Sequence, residues 1–191
     1  MVDDARAAGL GLAALYLDVF QPALREVGRL WQQNEFTVAE EQLATAVTQM
    51  AMGRLYSDFY LASGRNGRTL LAACAETEKH EVGLRMICDL LELDGWDATY
   101  LGASVPQDNL VARVLHDRPN VLALSASLTP HLPQLRSLIS AVRSATGEAV
   151  PYILVGGRVF LDDPRLADKV GADALARDTT DAIGLLRERF A

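Results

Sequence analysis

The sequence predicts an α/β protein in which a helical segment precedes a parallel β-sheet. Three observations support this fold class. The first 64 residues have helical periodicity and no convincing strand, residues 63–68 form a turn-rich linker, and short apolar runs alternate with helical patterns from Thr69 onwards. Strands that alternate with helices form parallel sheets covered on both faces. We therefore expect a helical bundle over residues 1–64 and a five-stranded Rossmann-like or flavodoxin-like domain over residues 69–191.

The first half begins with apolar residues at helical spacing. They recur every three or four positions, at Leu12, Leu15, Val19, Ala23, Val27 and Leu30. This spacing is typical of amphipathic helices. Pro22 fits the first turn of a second helix, where its missing N–H costs nothing. We expect that helix to end near residues 31–33.

A third, long helix is predicted over residues 38–62. Thr37 and Glu40 have the spacing of a capping box, which marks a helix N-terminus. The apolar positions available for burial are Ala39, Leu43, Ala46, Val47, Met50, Leu55 and Phe59. Three helices leave one apolar stripe uncovered more readily than four. The sheet domain, another subunit or a further N-terminal helix would have to cover that stripe.

The second half predicts five strands and five helices. The strands are expected at 70–74, 98–101, 121–125, 151–155 and 172–175, and the helices near 81–94, 107–117, 131–146, 163–169 and 179–190. The two cysteines, Cys74 and Cys88, fall in the first strand and the helix after it, so we interpret them as small buried hydrophobes.

Composition and charge exclude several classes of function. The chain has 191 residues, half of them hydrophobic, and a formal net charge of −7 without a basic run. Nucleic acids are bound through a concentrated basic face, so we expect no direct nucleic-acid binding. Neither a run of 18 apolar residues nor a basic segment followed by an apolar core is present. We therefore expect a cytoplasmic protein that does not enter a membrane.

Ligands of open α/β sheets collect at the carboxyl ends of the strands, and four loops there carry polar or flexible residues. These are Glu78, His80 and Gly83; Gly102, Ser104, Val105 and Pro106; Ser125 to His131; and Gly156, Gly157 and Arg158. Ordinary turns are the alternative interpretation, because glycine and serine are common in them. His116 and His131 are isolated, and His116 is expected at the surface. Dinucleotide, P-loop and zinc motifs are absent from the sequence.

Three of these segments together carry a resemblance. Glu78-x-His80-x-x-Gly83 is followed after 41 residues by Ser125-x-Ser127, and after 28 more by Gly156-Gly157. This arrangement resembles the cobalamin (B12)-binding domains of the base-off, histidine-on type. It implies that His80 binds cobalt from below and that Glu78 orients its imidazole. It also implies that the dimethylbenzimidazole tail lies in a slot between the first and fourth strands. The family usually has Asp at position 78 and Leu at position 127.

A second resemblance lies in the helical half. Trp31, nine residues and then Glu41 are similar to the Trp-x9-Glu-His pattern of light-sensing B12 proteins. In that family the Trp and Glu lie over the upper ligand of cobalt, and light breaks the cobalt–carbon bond. Gln42 replaces the histidine, and Gln32 stands where some members carry a second histidine. Glutamine is a poorer cobalt ligand than imidazole. A core aromatic at a helix end is the alternative interpretation of Trp31.

The resemblance implies a set of cofactor-binding residues, with His80 as the metal ligand. The set is Trp31, Glu41, Gln42, Glu78, Lys79, His80, Glu81, Val82, Gly83, Ser125, Ser127, Leu128, Thr129, Gly156 and Gly157. The cofactor would be adenosylcobalamin or methylcobalamin. Some stand-alone relatives also hold a bilin, so the resemblance leaves open whether a second chromophore binds.

Our leading hypothesis is a B12-dependent light sensor that is not an enzyme and acts through a homo-oligomer, a partner protein or an output domain. A corrinoid carrier subunit of a methyltransferase system is the alternative, because such subunits place a helical bundle before the same domain. The small domain of a B12-dependent mutase is a third and weaker alternative. The Trp31 to Glu41 spacing favours the sensor.

Overall fold

The computed structural model describes residues 2–62 and 64–191. The chain divides into two compact units, unit 1 over residues 1–63 and unit 2 over residues 64–191. Within the described residues, every helix is too short or too polar to cross a membrane. The role of unit 1 as a cap over the upper face of a cofactor stays a prediction.

Unit 1 is helical. Its elements are α1 (Val2–Ala7), α2 (Leu12–Ala14), a π-helical turn (Leu15–Phe20), α3 (Gln21–Gln32) and α4 (Val38–Ala62). Pro22 lies in the first turn of α3, which ends at Gln32, as predicted, although α2, the π-helical turn and α3 follow one another without interruption. The N–H of Gln21 donates to the carbonyl of Tyr16, five residues back. The wider turn accommodates Pro22, which has no N–H and clashes with regular α-helical geometry on its N-terminal side.

The start of α4 is fixed by the predicted capping box. The Thr37 N–H donates to the Glu40 carboxylate at 2.7 Å, and the Glu40 N–H donates to the Thr37 hydroxyl at 3.3 Å. Further along the helix, Phe59 packs edge-on against Tyr16, with ring centroids 4.8 Å apart. Two of the seven predicted apolar positions, Leu55 and Phe59, are buried, and Met52 joins them.

An uncovered apolar stripe runs along the first half of α4, as the three-helix count predicts. We call Leu43, Val47 and Met50 the α4 stripe. They are spaced by four and three residues, and each is about half or more exposed. These three positions, and the likewise exposed Ala39 and Ala46, were available for burial and are not buried in the described chain. The 25-residue α4 is longer than the helices available to cover it.

Unit 2 contains a five-stranded parallel sheet, which confirms the predicted fold class. The strands are β1 (Thr69–Cys74), β2 (Asp97–Tyr100), β3 (Val121–Ser125), β4 (Tyr152–Gly156) and β5 (Ala174–Ala176), in the spatial order β2-β1-β3-β4-β5. The helices are α5 (Val82–Leu93), α6 (Gln107–Asp117), α7 (Leu132–Thr146), α8 (Arg158–Asp162), α9 (Leu166–Val170) and α10 (Thr179–Arg189). Helix α8 was not predicted.

Helices cover both faces of this sheet. The core of one face contains Leu110, Leu138 and Phe160, and that of the other contains Leu91, Trp96 and Leu186. Cys74 and Cys88 are free and buried in the second core, as predicted. Burial raises the pKa of both thiols, which keeps them protonated and unreactive.

Candidate functional site

The three motif segments begin side by side at the carboxyl edge of the sheet. Cys74 at the end of β1 pairs in register with Ser125 at the end of β3, which pairs with Gly156 at the end of β4. The strand order reverses between β1 and β3, and such reversal points are where open α/β sheets bind ligands. The predicted slot between the first and fourth strands needs one correction. Because β3 lies between them, a ligand there would have to pass over Ser125.

The carboxylate of Glu78 joins two of these loops. Its side chain is fully buried. Oε1 accepts hydrogen bonds from the backbone N–H of His80 at 2.8 Å and from Nδ1 of the His80 ring at 2.6 Å. Oε2 accepts hydrogen bonds from the backbone N–H of Ser127 and from Nδ1 of His131 at 3.0 Å. Both oxygens are therefore saturated by donors from the loops after β1 and β3.

These hydrogen bonds fix the ionisation of Glu78 and the tautomer of His80. Burial alone would raise the pKa of Glu78. The hydrogen bonds that its carboxylate accepts from His80 and Ser127 have a larger, opposite effect, and the pKa falls to about 2. An ionised carboxylate only accepts hydrogen bonds, so His80 must carry its proton on Nδ1. The lone pair of a neutral His80 ring then lies on Nε2, the arrangement that carboxylate-oriented metal-binding histidines have.

Other contacts tie the loop that carries His80 to the loop after β2. The Tyr100 hydroxyl donates to the Glu81 carboxylate at 2.8 Å, and the Ser104 hydroxyl donates to the Glu78 carbonyl at 3.4 Å. Burial and the contact with Glu81 raise the pKa of Tyr100, so it remains a donor. The side chain of His80 is 61% exposed, although the carboxylate that holds it is buried. The imidazole is held in position and still accessible.

His131 is the residue that sequence reasoning missed. The expectation that it stands alone is wrong, because it is buried and contacts Glu78 across 53 positions of sequence. The available signal was its place in the loop after β3, at the same sheet edge as His80. His116 is exposed, as predicted, and its ring lies 2.8 Å from Asp117.

Two glycines of the motif, Gly157 and Gly83, differ in whether the chain itself requires a glycine there. Gly157 has φ +107°, and a Cβ there would lie 2.1 Å from the carbonyl oxygen of Ala126. The chain itself therefore requires glycine, so that the loop after β4 can lie against the segment between Ser125 and Ser127. A Cβ on Gly83 would meet no atom within 4 Å. Packing within the chain does not require glycine at Gly83, which leaves room there for a bound molecule.

The remaining predicted residues of unit 2 lie around this edge. Lys79, Leu128 and Thr129 are exposed, Glu81, Ser127 and Gly156 are half-buried, and Val82 and Ser125 are buried. Ser125 is only 8% exposed at the end of β3, and a hydroxyl there can hydrogen-bond a ligand tail that passes over this strand. An accessible imidazole, an open glycine and a serine hydroxyl at one edge of the sheet fit a corrinoid. The described residues contain no group of three His, Cys, Asp or Glu side chains arranged to hold a metal ion.

The predicted upper-face residues belong to unit 1. Trp31 lies in the last turn of α3 and is 45% exposed, so it is not a core aromatic of the described chain. Glu41 lies in the first turn of α4 and accepts a hydrogen bond from Thr45 at 3.2 Å. Gln42 is exposed beside it. Their contact with a cofactor stays a prediction.

Comparison with known proteins agrees with this chemistry. The profile of a B12 binding domain matches residues 68–186, and a second B12 binding domain profile matches residues 1–56. In the solved structure of the Methanosarcina barkeri monomethylamine corrinoid protein, the same fold covers 99% of this chain and 89% of that one. The TM-score is 0.85, at 20% sequence identity.

Two kinds of relative emerge. The HTH-type transcriptional repressor CarH of Myxococcus xanthus is 33% identical over 140 residues, which is 73% of this chain but only 46% of CarH. Trimethylamine corrinoid protein 1 of Methanosarcina acetivorans is 22% identical over 189 residues, 98% of this chain and 87% of that protein. The resemblance found in the sequence is thereby confirmed: this chain belongs to the B12 binding domain family.

Proposed function

We propose that this chain is a B12-dependent light sensor that binds cobalamin with His80 as the lower ligand of cobalt. The observation that carries the lower-ligand assignment is the contact of Glu78 with Nδ1 of His80 at 2.6 Å. Because the buried carboxylate is ionised, it holds the tautomer whose Nε2 lone pair can bind a metal. The exposed ring offers that atom to a ligand at the sheet edge.

The other residues of unit 2 would bind and orient the cofactor. Ser125 would donate a hydrogen bond to the ligand's tail over β3, and Gly83 would let the tail approach the first turn of α5. Bound alkylcobalamin supplies a cobalt–carbon bond that light can break. No residue of the chain is assigned a catalytic role, and adenosylcobalamin or methylcobalamin would be the bound form.

The sensor hypothesis depends on Trp31 and Glu41. Trp31 exposes 45% of its surface in the last turn of α3, so its ring is available to a ligand. The spacing to Glu41 resembles that of light-sensing relatives, and the chain resembles CarH in sequence. The output would pass through self-assembly or a partner protein in the cytoplasm. With a net charge of −7, direct binding to nucleic acid is not expected.

A corrinoid carrier subunit is the second candidate function. The observation that favours it is the match to trimethylamine corrinoid protein 1, which extends over 98% of this chain. The same His80 geometry would serve a carrier, whose cobalt passes a methyl group between partner proteins. The two candidates therefore share the lower ligand and differ in what happens above the cofactor.

The lower ligand can be tested by electron paramagnetic resonance. Protein labelled with ¹⁵N is loaded with unlabelled cobalamin and reduced to cob(II)alamin. If a histidine of the chain binds cobalt, the nitrogen splitting is a doublet; a ligand from the cofactor's own base gives a triplet. His80→Ala should remove the doublet, and His116→Ala, at an exposed histidine, should retain it. A doublet that survives in His80→Ala contradicts the assignment.

Light and methyl transfer separate the two functions. Protein loaded with alkylcobalamin in the dark should change its absorption spectrum and its elution volume after green light if it is a sensor. An unchanged elution volume, together with dark demethylation by a methyltransferase partner, would favour the carrier. Trp31→Ala should disturb the alkyl form and leave hydroxocobalamin binding intact. The spectrum of the protein as isolated also reports any bilin.

A further inference from the structure

The turn-rich segment that the sequence predicts as a linker is fastened to unit 2 by hydrogen bonds. The N–H of Asn66 donates to the carbonyl of Gly95 at 2.8 Å, and the Asn66 side chain donates to the carbonyl of Asp94, also at 2.8 Å. The N–H of Asp97 donates in turn to the carbonyl of Arg68 at 2.8 Å. Hydrogen bonds therefore run in both directions between this segment and the turn that joins α5 to β2.

The two arginines of the segment contact the same turn. The guanidinium of Arg65 donates to the carbonyl of Trp96, and that of Arg68 lies over the Trp96 ring, 5.9 Å from its centroid. Trp96 itself is fully buried in the core of one face of the sheet. A cation over an aromatic ring is attracted to it electrostatically. Both arginines thus hold the segment to a residue that is anchored in the core.

The close approach of the two backbones requires a glycine in the turn. Gly95 has φ +83°, and a Cβ there would lie 2.4 Å from the carbonyl oxygen of Gly64. The turn is also braced from another side, because the guanidinium of Arg187 in α10 contacts both carboxylate oxygens of Asp94 at 2.5 Å. The segment therefore packs against a turn that is held by α5 and α10 together.

We infer that residues 64–68 form a strap, a conformational device that fixes the connection between the two units to the turn between α5 and β2 and leaves any hinge before Gly64. A free coil of the six residues 63–68 would have a root-mean-square end-to-end distance of about 13 Å, and its ends could move by as much. The strap removes this slack. In a sensor or a carrier alike, a rotation of unit 1 about the connection would then take place in the chain before Gly64.

Two glycines at helix ends provide a matched test. Gly95 and Gly171 follow α5 and α9 and have nearly the same φ, +83° and +87°. Alanine is strained to a similar degree at both. At Gly171 its Cβ would only make an ordinary contact, 3.5 Å from a methyl carbon of Ile139. The difference between Gly95→Ala and Gly171→Ala therefore isolates the contact with the strap.

Asn66→Ala is a second variant, which decides the question if Gly95→Ala fails to fold. It removes the hydrogen bond to the Asp94 carbonyl and the one that the Asn66 side chain accepts from the N–H of Arg68 at 2.9 Å. Asn109→Ala, at an exposed asparagine of α6, is the control for this change elsewhere in unit 2.

The readouts are ¹⁵N relaxation and amide hydrogen exchange in the complete chain without cofactor. In the wild type, the backbone order parameters of Asn66 and Arg68 should match those of β1, about 0.85, whereas a flexible linker gives less than about 0.6. In Asn66→Ala, the exchange rate of the Asp97 amide should rise at least about fivefold, the factor that one lost hydrogen bond corresponds to. In Gly95→Ala it should rise about tenfold or more relative to Gly171→Ala, which leaves the strap intact.

Order parameters that are lower in the strap than in β1 would overturn the inference. It would also fail if Gly171→Ala accelerated exchange of the Asp97 amide as much as Gly95→Ala, or if Asn66→Ala matched Asn109→Ala. In either case the contacts of the strap would not limit opening at the turn. None of these measurements involves cobalamin, so their outcome is independent of the lower-ligand and sensor proposals.

Discussion

The buried Glu78 carboxylate of unit 2 and the α4 stripe of unit 1 differ in whether their groups already have partners within their own unit. Both oxygens of the buried Glu78 carboxylate are saturated by donors of the chain itself. Leu43, Val47 and Met50 of the α4 stripe are about half or more exposed. Buried polar groups must be satisfied before a ligand arrives, because an unpaired one destabilises the fold. Exposed apolar groups only lose the gain that burial would bring.

The loop that carries His80 is therefore preorganised, whereas the α4 stripe is stabilised only when another surface covers it. The lower-ligand loop has its hydrogen bonds in the protein without cofactor, so its geometry is expected to change little on binding. The α4 stripe gains its stabilisation only when something covers it. Substitutions in the two regions should therefore differ in how much they destabilise the protein without cofactor.

The largest effect is expected at the glycine that brings the site loops together. Gly157→Ala places a Cβ 2.1 Å from the Ala126 carbonyl oxygen at φ +107°, so the backbone must move. We expect a loss of about 3 kcal/mol or more in the free energy of unfolding, measured by urea denaturation. Gly83→Ala is the control, since its Cβ meets open space in the first turns of a helix. It should stabilise the apoprotein by about 0.5–1 kcal/mol and weaken cobalamin binding.

If Gly157→Ala unfolded at the wild-type urea concentration, the loop after β4 would not be tightly packed against the segment after β3. If Gly83→Ala bound cobalamin as tightly as the wild type, the open space at Gly83 would not be part of the binding site. Either result would weaken the contrast between a preorganised unit 2 site and an uncovered unit 1 face.

A smaller effect is expected at the carboxylate itself. In Glu78→Gln, whichever way the amide turns, its NH₂ group meets the two donors on one side of the network. We expect a loss of about 2 kcal/mol in the free energy of unfolding of the apoprotein, because buried donors lose their acceptor. Lys79→Gln, at the exposed neighbouring residue, should change it by less than about 0.5 kcal/mol. Equal values for the two variants would show that Glu78 is not structurally constrained.

The sequence predicted the elements that depend on local pattern. The five strands, the capping box of Thr37 and Glu40 and the exposed stripe follow from periodicity and short-range spacing. The continuous helix through Pro22 was not predicted, because a π-turn depends on how the backbone widens and leaves no residue pattern of its own. His131 was not predicted, because its contact with Glu78 spans 53 residues and is made by folding alone.

The motif residues were predicted for a partly different reason from the one the structure gives. Gly157 was predicted as a cofactor-binding residue, yet the carbonyl of Ala126 already requires a glycine there. A motif pattern records that a residue type is needed and not which neighbour needs it. Side-chain contacts across strands decide that question, and they become visible only in three dimensions.

The smallest effect is expected in the α4 stripe. Leu43→Gln combined with Met50→Gln keeps helix propensity nearly constant, because leucine, methionine and glutamine rank alike. Since both side chains are exposed, the apoprotein should lose less than about 0.5 kcal/mol in the free energy of unfolding, measured by urea denaturation. Leu55→Gln, a buried position of the same helix, should cost about 3 kcal/mol or more. If the double variant also lost about 2 kcal/mol or more, the stripe would be covered in solution. The free energy of unfolding of the wild-type protein would then be measured at several protein concentrations. A rise with concentration would show that a second copy of the chain covers the stripe, because only stability gained by association depends on concentration.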